Sequence, residues 1–138
     1  MKCSRRQVCF CIPALVVSRG LAADAAIPSM AVRFEDLPVE SGEGRAFRRI
    51  LEGKTHSGWG IEMHETDLAP GAMPHPPHHH AHEEAFLIRE GTLEVTIAGR
   101  ASRLGPGSAA YVASNEEHGL RNAGATHAQY FVIALGGE

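Results

Sequence analysis

The sequence predicts an all-β domain built as a sandwich or barrel, and three observations support this. The chain of 138 residues contains 15 Gly and 8 Pro, which implies many turns. Turn signals recur roughly every 8 to 12 residues, a spacing typical of short antiparallel strands. No segment after residue 23 carries a sustained helical period. A single domain of this size buries an adequate core.

Residues 1–23 predict a cleavable export signal. Arg5 and Arg6 precede an apolar run over residues 8–17, and small residues follow it. Crossing a bilayer takes roughly 20 apolar residues, so this run predicts no membrane anchor after cleavage. The Ser4-Arg5-Arg6 run resembles the start of a twin-arginine signal, with ordinary export as the alternative. Both routes place the mature chain in the periplasm or outside the cell.

The leader also holds all three cysteines, Cys3, Cys9 and Cys11. Without them the mature domain depends on its core, or on a metal, for stability. The leader carries four basic residues and no acidic ones, so its loss moves the formal charge from −3 to −7. An acidic domain of this kind is a poor partner for nucleic acid or for anionic membranes.

The mature chain begins with an arm or linker over residues 24–44, which mixes prolines and charges without periodicity. The barrel domain then occupies residues 45–138. Residues 45–53 weakly predict a first strand. A second strand is indicated more firmly because apolar residues alternate with polar ones, the apolar set being Trp59, Ile61 and Met63.

Later segments predict a hairpin and a central strand. Phe86 and Ile88 alternate with their neighbours, Gly91 turns the chain, and residues 93–97 alternate again. Short strands follow over residues 109–113 and 118–121. The closing run is apolar on both faces, which favours a central strand over residues 130–135. Aromatic and aliphatic residues of these strands are expected in the core, namely Phe86, Ile88, Tyr111, Tyr130 and Phe131.

The densest chemistry lies in residues 74–84, where five histidines and two glutamates fall within eleven residues. In an extended chain, residues of equal parity share a face. That face would carry imidazole nitrogens and a carboxylate, a set suited to a metal, from His78, His80, His82 and Glu84. The alternative is a solvated histidine tract in a loop.

Two motifs follow one another on these strand and turn patterns. The first consists of Gly71, a six-residue spacer, His78, His80, Glu84 and Gly91. The second runs through a Gly-Pro-Gly turn to His118 and Asn122. This pair resembles the motifs of the cupin superfamily over about residues 59–135, and the short stretch between them is similar to small single-domain cupins. The resemblance implies a double-stranded β-helix of jelly-roll type.

The resemblance also implies that one divalent transition metal is held by His78, His80, Glu84 and His118. This nitrogen and oxygen set allows all the divalent first-row metals from Mn to Zn. Among them we expect Mn, Fe or Ni, with Zn, Co or Cu as alternatives. Four ligands leave one or two coordination positions open, as a catalytic metal needs. His82 is expected outside the ligand set, and His79 is expected to face away. For Asn122 we expect hydrogen bonds to local backbone in a turn.

Two functions remain open at this stage. The first is a metal-dependent enzyme acting on a small oxygen-rich molecule, most plausibly a mononuclear oxygenase, with decarboxylase or isomerase chemistry as related choices. In that enzyme Glu84 could leave the metal to accept a proton. The second is an exported cupin that binds a metal or small ligand without turnover. The resemblance further implies a homodimer, with the arm available for exchange between copies.

Overall fold

The computed structural model describes residues 26–136, which contain one short 3₁₀ turn and nine β-strands. The turn spans Phe34–Asp36. The strands are β1 Glu40–Gly42, β2 Arg45–Lys54, β3 Gly60–Leu68, β4 Glu83–Glu90, β5 Leu93–Ile97, β6 Arg100–Leu104, β7 Ala109–Val112, β8 His118–Asn122 and β9 Ala128–Leu135. The all-β prediction is therefore confirmed.

The strands form two antiparallel sheets. The larger has the order β1-β2-β3-β9-β4-β7, and the smaller has the order β6-β5-β8. Strand β9 lies between β3 and β4, which confirms that the apolar closing run is a central strand. Because most neighbours in the larger sheet are distant in sequence, the chain crosses repeatedly between sheets, as in a jelly-roll barrel.

The core lies between the two sheets. It is filled by inward residues of strands from both sheets, including Leu93 and Val95 of β5 and Tyr130 and Val132 of β9. Burying each such aliphatic side chain stabilises the fold by about 1.5 to 3 kcal/mol before the cost of ordering it. Inward residues alternate with outward residues along each strand. A shift of the strand pairing by one residue would therefore turn the whole inward set to the outside.

The predicted hairpin around Gly91 does not form: β4 pairs with β7 and β9 in the larger sheet, whereas β5 pairs with β6 and β8 in the smaller one. Gly91 instead turns the chain from one sheet to the other, because local alternation predicts a turn but not which strands pair. Gly91 has a φ of +76°, and a Cβ placed there would lie 2.5 Å from the carbonyl oxygen of His127. Only glycine meets both conditions without strain. The position therefore fixes how closely β4 approaches the start of β9.

Part of the arm packs on the outside of the larger sheet. Phe34 lies between two guanidinium groups, 4.7 Å from that of Arg48 and 4.5 Å from that of Arg89. Beneath it, Arg48 Nη1 donates a hydrogen bond of 2.8 Å to the buried carboxylate of Glu65. The 3₁₀ turn thus helps to cover a buried ion pair.

Two predicted core residues lie outside the core: Tyr111 is exposed, and Phe131 is half-buried on the outward face of β9, between the buried Tyr130 and Val132. Tyr111 is 55% exposed, whereas Ile88, Tyr130 and Phe86 are buried as expected. Tyr111 lies on the edge strand β7, where Val112 points inward and alternation sends the tyrosine outward. The prediction for Tyr111 was wrong because a four-residue strand gives too little pattern to choose the face.

The predicted export signal, residues 1–23, and its three cysteines lie outside the described residues. Within residues 26–136, no helix has the length and apolar character needed to span a bilayer.

Candidate metal centre

The connection before β4 meets the smaller sheet at His78 and His118. His78 belongs to the long connection before β4, and His118 begins β8. Their backbones exchange two hydrogen bonds, 3.0 Å from His78 N to His118 O and 2.9 Å in return. This isolated bridge holds the two imidazoles against each other, with ring centroids 4.7 Å apart.

Hydrogen bonds fix both the backbone and the ring of His80. The backbone N–H of Asn115 donates to the carbonyl oxygen of His80 at 2.8 Å. The ring Nδ1 of His80 contacts the carbonyl oxygen of His82 at 2.9 Å, which assigns the proton to Nδ1. Nε2 then carries a lone pair, and it is buried without a hydrogen-bond partner among the described residues. A buried lone pair of this kind suits a metal ligand.

His118 repeats this arrangement. Its Nδ1 lies 3.0 Å from the carbonyl oxygen of Glu116, so this nitrogen is the donor. The opposite nitrogen, Nε2, lies 3.1 Å from Glu84 Oε2. A neutral imidazole with its proton on Nδ1 and an ionised carboxylate both present lone pairs at this contact. A proton or a cation must lie between them, and a divalent cation satisfies both groups.

All four predicted ligands are brought together. Ligand atoms of His78, His80 and His118 lie within 4.8 Å of one another. Glu84, at the start of β4, approaches His80 Nε2 at 3.5 Å as well as His118. Three imidazoles and one carboxylate fit a divalent first-row metal and offer no thiolate for softer ions. The cluster thus suits a metal ion, and the choice among Mn, Fe, Ni, Zn, Co and Cu stays a prediction.

His82 also lies in this cluster. Its ring stacks on that of His80, with centroids 3.5 Å apart and planes 9° from parallel. Its Nε2 is 3.5 Å from Glu84 Oε1, and His80, His82 and Glu84 form a second set with metal-ligand spacing. The chain bends at residues 81–82 before β4 begins, so strand parity does not explain this placement. Its expected place outside the ligand set stays a prediction.

The electrostatics keep His78 neutral. Burial lowers its pKa, and the nearby rings of His75, His118 and His80 lower it further. Only a neutral imidazole can donate a lone pair to a metal. The environment of His78 therefore favours the form that binds metal.

A cavity of about 140 Å³ opens beside Glu84. Apolar side chains of both sheets form much of its wall, and polar groups of β2, β3 and β9 also line it. These polar residues are Arg45, His64, Thr66 and Tyr130. Burial raises the pKa of the Tyr130 hydroxyl, which therefore stays protonated as a hydrogen-bond donor.

His64 is a site residue that the sequence did not indicate. It lines the cavity, and its ring lies 4.6 Å from that of Phe47. Burial lowers its pKa, and the charge of Glu62 only partly opposes this. His64 Nδ1 lies 3.2 Å from Glu62 Oε1 without the alignment of a hydrogen bond. The only signal in the sequence was the alternation of β3, and it indicated that the apolar face with Ile61 and Met63 would be buried, not the face with His64.

Three further polar residues near the cluster are His75, His79 and Asn122. His79 is exposed, as expected, and His75 is exposed at the rim with its ring 4.1 Å from that of His78. Asn122 is buried and donates to the carbonyl oxygens of Leu68 and Thr126, both at 2.8 Å. It also accepts from Gly124 N at 2.9 Å. The expected turn role of Asn122 is confirmed, with an added link to the end of β3.

The sequence matches a family described as a cupin domain, Cupin_2, over residues 64–134. The match begins within β3 and includes the whole histidine cluster. The chain belongs to the cupin family. Solved cupins share the fold at low identity. A cupin from Shewanella frigidimarina described as RmlC-like has a TM-score of 0.67 at 19% identity, covering 80% of this chain and 94% of that one.

Two further structures agree with this fold. The polyketide cyclase RemF from Streptomyces resistomycificus has a TM-score of 0.66 at 21% identity, covering 78% of this chain and 80% of that one. KdgF from a Halomonas species has a TM-score of 0.66 at 16% identity, covering 78% of this cupin and 94% of that chain.

Two curated relatives are named L-ectoine synthase, from Bordetella parapertussis and Bordetella bronchiseptica. Each is 37% identical over 75 residues, which are 53% of this chain and 55% of the relative. The cupin thus spans about half the length of the curated relatives it matches.

Proposed function

We propose that this cupin is a metal-dependent enzyme that acts on a small oxygen-rich molecule. The observation that carries the proposal is the contact between His118 Nε2 and Glu84 Oε2 at the wall of a cavity. The ligand cluster and an interior space for a small molecule are therefore contiguous. A protein that binds only a metal needs the cluster alone, whereas an enzyme needs both the cluster and a space for substrate beside it.

His78, His80, Glu84 and His118 would hold the ion. A bound divalent metal would act as a Lewis acid toward a substrate oxygen and, if redox-active, would also supply electron-transfer chemistry. The protein orients two of the imidazoles through carbonyl oxygens, which are fixed in turn by the backbone.

Two side chains are placed to move a proton in this cavity. Glu84 has its second oxygen, Oε1, facing His82, so a proton taken up at Oε1 would leave Oε2 with His118. His64 lies in the same cavity, and its lowered pKa leaves it neutral and able to accept a proton. These residues give the site a base on each of two strands, β3 and β4.

For the reaction class, we propose oxygenase chemistry, as expected from the family resemblance. The relatives named L-ectoine synthase favour a second candidate, a synthase reaction on a small substrate. The two candidates differ in whether dioxygen is consumed.

The test uses the full chain reconstituted separately with Mn, Fe, Co, Ni and Zn. Each form is incubated with a panel of small hydroxy acids, keto acids, amino acids and sugars, in air and under nitrogen. Oxygen uptake is followed with an electrode and products by mass spectrometry. An oxygenase predicts metal-dependent uptake that is lost in Glu84→Gln and His118→Ala and kept in the control His56→Ala, an exposed histidine.

The other outcomes are equally definite. Equal product formation under nitrogen would exclude the oxygenase and favour the synthase, and L-ectoine is the first compound to test as a bound product. Stoichiometric metal and ligand binding with no turnover by any form would contradict the enzyme and support the non-catalytic binding cupin.

A further inference from the structure

An exposed cation lines the edge of the cavity beside Glu84, and no ion pair holds it within residues 26–136. Arg45, on β2, lines this cavity together with the apolar side chains of Phe47 and Phe86. Its neighbours Arg48 and Arg49 on the same strand form ion pairs, with Glu65 and Glu52. No carboxylate within residues 26–136 pairs with Arg45. A guanidinium keeps its charge at any pH the protein meets, so the cavity has a permanent anion-binding group.

Two hydroxyl groups line the same cavity as this cation. Thr66 and Tyr130 line the same cavity, and the charge of Arg45 acts on the buried Tyr130 hydroxyl. Tyr130 stays protonated because burial raises its pKa, so it can donate a hydrogen bond. A guanidinium fork with a neutral hydroxyl donor beside it matches the two oxygens of a carboxylate.

Strand register separates Arg45 from the metal-binding end. Arg45 is paired with Leu68, near the end of β3. Glu84 is paired with Ala134, which is paired in turn with Glu62 near the start of β3. The cation and the ligand cluster thus lie toward opposite ends of one strand. A molecule that reaches both must carry its two recognised groups several bonds apart, unlike a 2-hydroxy acid.

We propose that the substrate is a short-chain carboxylic acid whose carboxylate is bound by Arg45 while a second polar group lies at the Glu84 end. This inference rests on the proposed function, and it names the substrate class for the same site. The apolar walls between the two ends, including Phe47 and Val132, suit the connecting carbon chain.

The experiment compares three acids, 4-hydroxybutanoate, 5-hydroxypentanoate and 6-hydroxyhexanoate, with their neutral primary amides. Binding to the full chain is measured by ligand-observed NMR titration, both with Zn²⁺ and without added metal. For at least one length we expect the acid to bind about tenfold or more tightly than its amide. Arg45→Met should abolish this preference, and Arg45→Lys should keep part of it because the charge remains.

The control is Arg100→Met, because Arg100 lines a different cavity. It should keep the full preference for the acid, and thermal melting should show that each variant is folded. The inference is overturned if no acid binds better than its amide, or if Arg45→Met keeps the preference. Zinc content is measured on the same samples and tests the proposed function separately. If the protein binds no zinc but still prefers acids through Arg45, the metal proposal is contradicted and the carboxylate proposal is not.

Discussion

Glu84 is the side chain on which the ligand cluster depends. Its two oxygens contact three histidines, His118 at 3.1 Å and both His80 and His82 at 3.5 Å. Imidazoles alone would leave a divalent ion with its full positive charge in a partly buried site. The carboxylate lowers that charge and so reduces the electrostatic cost of burial.

Replacing Glu84 with Gln removes the negative charge and keeps the shape. Because loss of an outer-shell partner already costs about 10- to 100-fold in metal affinity, we expect this variant to lose about 100-fold or more. Zinc affinity is measured by competition with a chromophoric chelator. Glu83→Gln is the matched control, since Glu83 interacts with the exposed Tyr111 on the other face of β4. Equal affinities for the two variants would contradict the role of Glu84.

Individual site residues could be predicted from the sequence where they belong to a motif of fixed spacing. His78, His80, Glu84 and His118 could be named because their spacing resembles the cupin motifs, and the structure brings them together. His64 could not be named. Apolar alternation marked Ile61 and Met63 as the buried face, but the interior face of β3 is polar beside the ligand cluster. Sequence patterns of this kind fail where a cavity replaces a packed core.

Among the elements, β4 connects the site to the core. Glu84 is the second residue of β4, and the strand continues into the buried Phe86 and Ile88, so packing of the strand positions the carboxylate. A hairpin of β4 and β5 was predicted because Gly91 breaks two alternating runs, and it was wrong because the turn at Gly91 leads into the other sheet. The insertion of β9 between β3 and β4 was not predicted, because local pattern does not specify which distant strands pair.

Gly91→Ala tests how closely the turn between β4 and β5 packs on the start of β9. An added Cβ would meet both His127 O at 2.5 Å and Ala128 Cα at 2.6 Å, at a φ unfavourable for alanine. We expect a loss of about 3 kcal/mol or more in the free energy of unfolding, measured by urea denaturation. Gly99→Ala is the control, because Gly99 has the same φ of +76° and nothing within 4 Å. It should lose only about 1 kcal/mol. Similar losses for both would contradict the close contact.

For the molecule as a whole, buried histidines link stability to pH. Burial lowers the pKa of both His64 and His78. Below the ordinary histidine pKa of about 6.5, the folded metal-free chain therefore binds fewer protons than the unfolded chain. Acid then favours unfolding, and this contribution to stability is complete only above that pH.

We expect the free energy of unfolding of the metal-free chain to fall as the pH drops below about 6.5, by at most about 1.4 kcal/mol per pH unit for each histidine. Urea denaturation at several pH values measures the slope. A variant with His64→Gln and His78→Gln should show a shallower slope, whereas His56→Gln should match the parent. Identical slopes in all three proteins would show that these buried histidines do not carry the effect.

The central claim is that three histidines and one glutamate hold one divalent metal ion. The most direct test is elemental mass spectrometry of the purified full chain beside a variant with His80→Ala and His118→Ala, and beside the control His56→Ala. We predict close to one equivalent of a single divalent metal in the parent and the control, and none in the double variant. The same trace of mixed metals in all three proteins would contradict the claim and make the histidines a surface tract.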